Sequence, residues 1–293
     1  MRKTSANLII FILLTVLTLG ACDEYGNVSI QEELELIFES SESEVPDIEV
    51  SVPNGYLQMD GSEEDAEMEL VDLDESDILT ETSEDSIVKS PKIALTFDDG
   101  PSAHTDGILD LLEQYGGRST FFVTGPQILE RSATIIRAFN MGNEIANHSW
   151  SHRHLPLLTD EEIIYEIQRT SNAIISITGE SPPIHRPPFG MSDERVVNIL
   201  GDMGYAIVKW TLDPIDWRYR DADIVYNTIM NQVESGSIIL VHDTRPTTAE
   251  AMERVIPRLI EEGFQLVTVS ELLYYLYDGP EPGVVYGTYT ILD

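Results

Sequence analysis

The chain has 293 residues, with 52 acidic side chains against 17 Lys and Arg and a formal net charge of −35 at pH 7. Such a polyanion is repelled by phosphate backbones and anionic headgroups, which excludes nucleic acid as a partner and disfavours charge-driven docking on a lipid surface. The charge is uneven: residues 23–90 carry 23 acids and one Lys, net −22, while 91–293 carry −15 over a length that suffices for one domain with a full core.

Arg2 and Lys3 precede the apolar run Leu8–Leu19, which leads into Leu19-Gly20-Ala21-Cys22. A positive start, about a dozen apolar residues and a small-residue cleavage site make residues 1–22 a secretory signal. The run is short for a membrane span of about 20 residues. Cys22 is the only cysteine. Its setting resembles the lipobox of bacterial lipoproteins, which implies cleavage before Cys22 and a lipid on its sulfur. The protein would then be extracytoplasmic and held to the bacterial cell membrane only through that anchor. An ordinary signal peptide with an incidental cysteine is the other reading. With Cys22 lipidated no disulfide can form, so packing alone must hold the fold.

Residues 23–90 are rich in Glu, Asp and Ser and show no sustained period. Their short apolar clusters, Leu34–Phe38 and Ile48–Val52, are too small to bury a core, so the segment reads as a disordered acidic linker. A flexible chain of this length spans roughly 45 Å root-mean-square. Calcium capture by the clustered carboxylates is the alternative reading.

From Pro91 the texture changes. Strands are predicted at Lys92–Phe97, Ser119–Val123, Glu144–Asn147, Ala206–Trp210, Ser237–Val241 and Gln265–Val269. A helix carrying Ile108, Leu111 and Leu112 ends at Gly116-Gly117, and another covers about Ser132–Met141. The clearest helix is Thr159–Thr178, opened by a Thr159/Glu162 capping box and closed by Gly179, with Ile163, Ile164, Ile167, Ile174 and Ile177 on one face. Further helices fall at about Asp193–Met203, Ile224–Val233, Ala249–Glu261 and Ser270–Tyr277. Alternation of this kind argues for an α/β fold with a parallel sheet wound into a barrel, whose chemistry gathers at the C-terminal strand ends. The folded domain is expected over 91–277, with 278–293 as a C-terminal extension.

Five polar motifs fall at those ends. In Thr96-Phe97-Asp98-Asp99-Gly100-Pro101, adjacent carboxylates point apart, so one can bind a metal while the other faces a substrate; Asp-Asp-Gly is also ordinary turn chemistry. In His148-Ser149-Trp150-Ser151-His152, two imidazoles four residues apart on a helical turn can meet one metal, or they are simply solvated or core histidines. The two-residue offset of His154 from His152 turns it to another face. Arg186-Pro187-Pro188-Phe189-Gly190 sets an Arg beside a rigid turn, suited to orienting a carboxylate or to a surface loop. Asp213-Pro214-Ile215-Asp216-Trp217 follows a strand, and Ile238-Ile239-Leu240-Val241-His242-Asp243 delivers a histidine at a strand end. Such a histidine is a natural general acid, tuned by a neighbouring carboxylate, or merely the end of a strand.

In order and placement the five motifs resemble those of the NodB-homology polysaccharide deacetylases, carbohydrate esterase family 4, over about residues 91–275. The resemblance implies a distorted (β/α) barrel and a divalent metal, usually zinc, held by Asp99, His148 and His152. By ligand type the same set would accept cobalt, nickel or iron. It implies Asp98 as catalytic base oriented by Arg186, and His242 as catalytic acid tuned by Asp216. Trp217 and Leu240 would line an acetyl-methyl pocket, and the Phe189 N–H would help hold the oxyanion. The implied activity is metal-dependent removal of acetyl groups from an N-acetylated polysaccharide, peptidoglycan first. An O-acetyl xylan esterase is the alternative within the family, and a non-catalytic carbohydrate-binding lipoprotein the alternative outside it. His185, where the family often has an aromatic residue, departs from the pattern and bears on fine substrate contacts.

Overall fold

The computed structural model describes residues 90–287; residues 1–22, expected as a signal sequence ending at Cys22, the acidic segment up to residue 89 and residues 288–293 lie outside the described residues. The strands are β1 (Lys92–Asp98), β2 (Thr120–Val123), β3 (Glu144–Asn147), β4 (Ile184–His185), β5 (Ala206–Val208), β6 (Ile238–His242), β7 (Gln265–Leu266) and β8 (Val285–Tyr286). Between them run α1 (Thr105–Tyr115), α2 (Gly125–Glu130), α3 (Ser132–Asn140), α4 (Asp160–Thr178), α5 (Glu194–Asp202), α6 (Asp216–Tyr219), α7 (Ala222–Gln232), α8 (Pro246–Glu261) and α9 (Val269–Leu276).

Every strand pair is parallel, in the order β6-β1-β2-β3-β4-β5-β8, with β7 beside the start of β1. The sheet curls far enough that the chain beyond β5 reaches β6, where Leu212 bridges to Ile239. This is the distorted (β/α) barrel expected from the alternating pattern.

Strand alternation sorts the core. On β1, Ile93, Leu95 and Phe97 join the larger apolar cluster with Ile108, Leu109 and Leu112 of α1 and with Val255 and Leu259 of α8. Ala94 belongs to a second cluster with Phe122, Ala146, Ile184, Ala206 and Ile238, all from neighbouring strands. Asp98, two steps beyond Thr96 and four beyond Ala94, shares that inner face and is buried.

The capping box of α4 forms as expected, and Gly179 closes the helix at φ 77°. Its buried face differs from the expected one. Ile164 and Ile177 turn partly outward while Glu166, Thr170 and Ser171 are buried, because this face also holds a polar loop described below. The segment after Tyr277, read from sequence as an extension, supplies β8, which pairs with β5 at Ile207–Val285 and Val208–Tyr286. Two residues leave too little periodicity to be recognised in a sequence; the same holds for β4. In α1, Leu109 rather than Leu111 is fully buried.

Candidate active site

The register of β1 on β6 sets Asp98 directly beside His242 at the C-terminal strand ends. Behind each lies a buried partner of opposite charge. Arg186, beyond β4, is wholly buried: Nη1 donates to Asp98 Oδ1 at 2.6 Å and to Thr96 Oγ1 at 2.8 Å. Its other donors reach Val208 O and Lys209 O, and its Cζ lies 4.0 Å from the Phe122 ring centroid. Asp216, the first residue of α6, is equally buried. Oδ1 accepts from His242 Nδ1 at 2.7 Å, while Oδ2 accepts from the His242 N–H at 2.8 Å and from Thr248 Oγ1 at 2.6 Å.

These surroundings set the proton affinities. Burial raises the Asp98 pKa above the usual carboxylate range, with the Arg186 charge and hydrogen bond working against the rise. At His242 burial favours the neutral ring, yet the hydrogen bond and charge of Asp216, aided by Asp98 and Asp99, prevail and lift the pKa to about 9. Asp216 itself is lowered: burial opposes ionisation but the bonds from His242 and Thr248 win.

The histidine motif does not form a helical turn. Ser149 and His152 both lie at positive φ, 65° and 54°, so a kinked loop replaces the predicted helix. Asn147 Oδ1 accepts from the Ser149 N–H at 2.8 Å, and Ser149 Oγ accepts from the His152 N–H at 3.1 Å. The buried Glu166 of α4 takes hydrogen bonds from the N–H and hydroxyl of Ser151 at 2.7 and 2.6 Å, and Asn147 Nδ2 donates to Ile167 O and Ser171 Oγ. The polar face of α4 is therefore the clamp of this loop.

His148, His152 and Asp99 nevertheless converge, with donor atoms within 4.8 Å of one another. His148 Nδ1 lies 2.7 Å from the Arg186 carbonyl oxygen, which can only accept, so Nδ1 carries the proton and Nε2 presents a lone pair. Burial holds the His148 pKa at about 3, against the pull of Asp99, so the ring is neutral at pH 7. That lone pair faces Asp99 Oδ1 at 3.5 Å, and His152 Nε2 approaches the same oxygen at 3.3 Å. Asp99 Oδ1 is shielded from solvent with no hydrogen-bond donor. Acceptors facing acceptors are stabilised by a cation between them, and two imidazoles with one carboxylate suit zinc, cobalt, nickel or iron. The residues fit a divalent metal.

These groups open into one cavity of about 520 Å³, lined also by Phe189, Gly190, Trp210, Asp213, Trp217, Leu240 and Arg245. Leu240 is buried, whereas Phe189 and Trp217 are exposed. All ten residues singled out in the sequence are thus brought together, eight on the cavity wall and two, Arg186 and Asp216, directly behind it. His154 stacks on Phe189 at 6.0 Å and stays outside the cluster, as its offset predicted. His185 does not reach the cavity; it is wholly buried, with Nδ1 3.1 Å from Asn147 Oδ1. Its departure from the family pattern therefore touches the support of the histidine loop rather than substrate contacts.

Sequence reasoning passed over Asp243, which is fully buried. Its Oδ2 accepts from Thr105 Oγ1 and its backbone oxygen from Ser102 Oγ at 2.6 Å. A Cβ on Gly100 would fall 2.3 Å from either carboxylate oxygen, so only glycine lets the Asp98-Asp99 turn approach so closely. Burial pushes the Asp243 pKa up to about 7 although Thr105 counters it. The His242-Asp243 dipeptide was the available signal. Thr248, Glu166 and Trp210 had none.

The polysaccharide deacetylase family model matches residues 85–208. The peptidoglycan-N-acetylmuramic acid deacetylase PdaC of Bacillus subtilis is 42% identical over 182 residues, covering 61% of this chain and 38% of PdaC. A peptidoglycan-N-acetylglucosamine deacetylase of Bacillus cereus is 34% identical over 189 residues, 62% of this chain and 88% of that protein. Among solved structures, PdaC superposes with a TM-score of 0.61 at 40% identity, covering 64% of this chain and 91% of the PdaC structure. A family 4 acetyl xylan esterase from Clostridium thermocellum, in complex with a cobalt ion, gives 0.62 at 32% identity, covering 67% and 98%. This chain belongs to the polysaccharide deacetylase family. It spans less than two-fifths of the full length of PdaC.

Proposed function

We propose that this protein hydrolyses acetyl groups from N-acetylated sugars of an extracytoplasmic polysaccharide, with peptidoglycan as the first candidate. The observation that carries the reading is the pairing of Asp98 and His242 side by side, each backed by a buried counter-charge, next to the Asp99–His148–His152 cluster. The peptidoglycan deacetylases among its relatives support the choice of glycan.

Asp99, His148 and His152 would hold a divalent metal, zinc first. When bound, such an ion polarises a carbonyl and makes water more acidic. The steps then fall to the chain's own groups. Asp98, one oxygen tied to Arg186, uses the other to take a proton from the water that attacks the acetamide carbon. The Phe189 N–H helps hold the developing oxyanion. As the C–N bond breaks, His242 Nε2 gives its proton to the leaving nitrogen, while Asp216 keeps Nδ1 protonated and the ring in place. Acetate and a free amino sugar result. Trp217 and Leu240 enclose the acetyl methyl group.

In this reading residues 1–22 deliver the chain across the membrane, Cys22 anchors it by a lipid, and 23–90 act as a solvated spacer between membrane and glycan. The deciding experiment is acetate release by the purified protein from N-acetylglucosamine oligomers, peptidoglycan and acetylated xylan, with and without a chelator. Chelator-sensitive release from the amino-sugar substrates is expected. Release from xylan alone would replace the reading with an O-acetyl esterase, and release from none would leave a binding protein.

A further inference from the structure

Arg245 is the one arginine or lysine on the cavity wall, and no described residue partners its side chain. It lies three residues past His242, held by a hydrogen bond from its N–H to His242 O at 3.2 Å, and it caps α8 just before Pro246. Its Nε is closed off from solvent and meets no hydrogen-bond acceptor, and no carboxylate lies within ion-pair distance of its guanidinium among the described residues. Arg118, Arg137, Arg153, Arg195, Arg254 and Arg258 have carboxylate partners, and the other described arginines that lack one, Arg169, Arg218 and Arg220, lie off the cavity wall. From residue 91 onward 29 acidic residues face 14 basic ones, so a partner was abundantly at hand. Leaving a shielded donor of a charged group unmatched is costly, and an anion pairing with the rest of the guanidinium would offset part of that cost.

We propose that Arg245 is a subsite for a carboxylate carried by the sugar being deacetylated. The inference rests on the function proposed above and narrows its substrate to muramic-acid-containing glycan. The chemistry of that sugar fits the placement: the lactyl ether on C3 is vicinal to the acetamide on C2, so a carboxylate on it lies next to the bond that His242 and Asp98 would cleave. N-acetylglucosamine carries only a hydroxyl there and leaves Arg245 unmatched. The carboxylate is either the free lactyl group or the first carboxylate of a peptide attached to it. A guanidinium takes either in the same bidentate geometry. The first turn of α8 contains no acidic residue, so nothing on that helix end competes with the anion.

The test compares the full-length, metal-loaded protein with its Arg245→Met and Arg245→Lys variants on three oligomers of equal length. One has free lactyl carboxylates, one has them converted to methyl amides, and one carries a lactyl-linked dipeptide. Masking the carboxylate should lower kcat/KM of the parent protein at least tenfold, mainly through KM, and that of Arg245→Met less than twofold, with Arg245→Lys between. Dependence on Arg245 confined to the dipeptide substrate would still support the subsite and assign the anion to the peptide. An equal loss on masking in parent and variant overturns the proposal. Calorimetric titration with N-acetylmuramic acid and N-acetylglucosamine separates this from failure of the parent reading. Where no glycan releases acetate, preferential binding of the carboxylated sugar that vanishes in Arg245→Met still upholds the subsite, and equal binding of both sugars refutes it.

Discussion

The ends of β1 and β6 carry the same device in opposite polarity. On β1 the cavity-facing group is a carboxylate with a buried guanidinium behind it; on β6 it is an imidazole with a buried carboxylate behind it. At Asp98 burial outweighs Arg186, and at His242 Asp216 outweighs burial, so both proton affinities rise. The consequences differ. A carboxylate with raised pKa is a stronger proton acceptor, whereas an imidazole held near 9 stays loaded with a proton through neutral pH. In the proposed function, which member of a buried pair faces the cavity would decide whether the pair serves as base or acid.

The largest effect should come from removing the two facing groups. Asp98→Asn and His242→Ala are each expected to lower the rate of acetate release at least a hundredfold, as positioned acids and bases contribute about 10²–10⁴-fold. Circular dichroism of both variants should match the parent; near-parental acetate release from either would end the symmetric reading of the two strand ends.

Removing a backing group should separate the two halves. Arg186→Gln leaves Asp98 buried without its counter-charge, and breaking such a pair costs about 3–5 kcal/mol. A marked fall in Tm is expected at pH 7, and an unchanged Tm would show that Arg186 serves orientation alone.

The mildest change is a pH shift. Because the His242 pKa is raised above its ordinary 6.5 to about 9, the protonated acid is present below that value and is lost as pH rises through it. Asp216→Asn removes the main opposing influence on burial, so the alkaline limb of the rate profile should move from about 9 toward neutral pH. A limb that stays in place would assign it to another group.

Much of this site is legible in the sequence because its chemistry is packed into contiguous motifs. Asp98-Asp99 sits at the end of a β-branched run, and Ile238–Val241 delivers His242 in the same way. Capping at Thr159 and Gly179 is equally local and forms as expected. The failures share a cause. The His148–His152 spacing suggests a helical turn, but hydrogen bonds from Asn147 and to Glu166, across to α4, impose a loop. Asp243 looks like a neighbour of His242 and instead braces the Asp98-Asp99 turn through Thr105 and Ser102.

By itself, then, the sequence determined the alternation of strands and helices, the inventory of carboxylates, histidines and arginine that the chemistry needs, and the segregation of acidity into residues 23–90. These follow from local period, spacing and composition. The tertiary structure decided that Asp98 and His242 stand side by side, that Arg186 and Asp216 lose all contact with water, and that Arg245 faces the cavity unpaired. Strand register and burial are set by pairings between residues far apart in the chain, such as Asp98 with His242 and Lys92 with Gln265. No local pattern encodes a partner at that distance, and a charge acquires its catalytic meaning only from what is buried behind it.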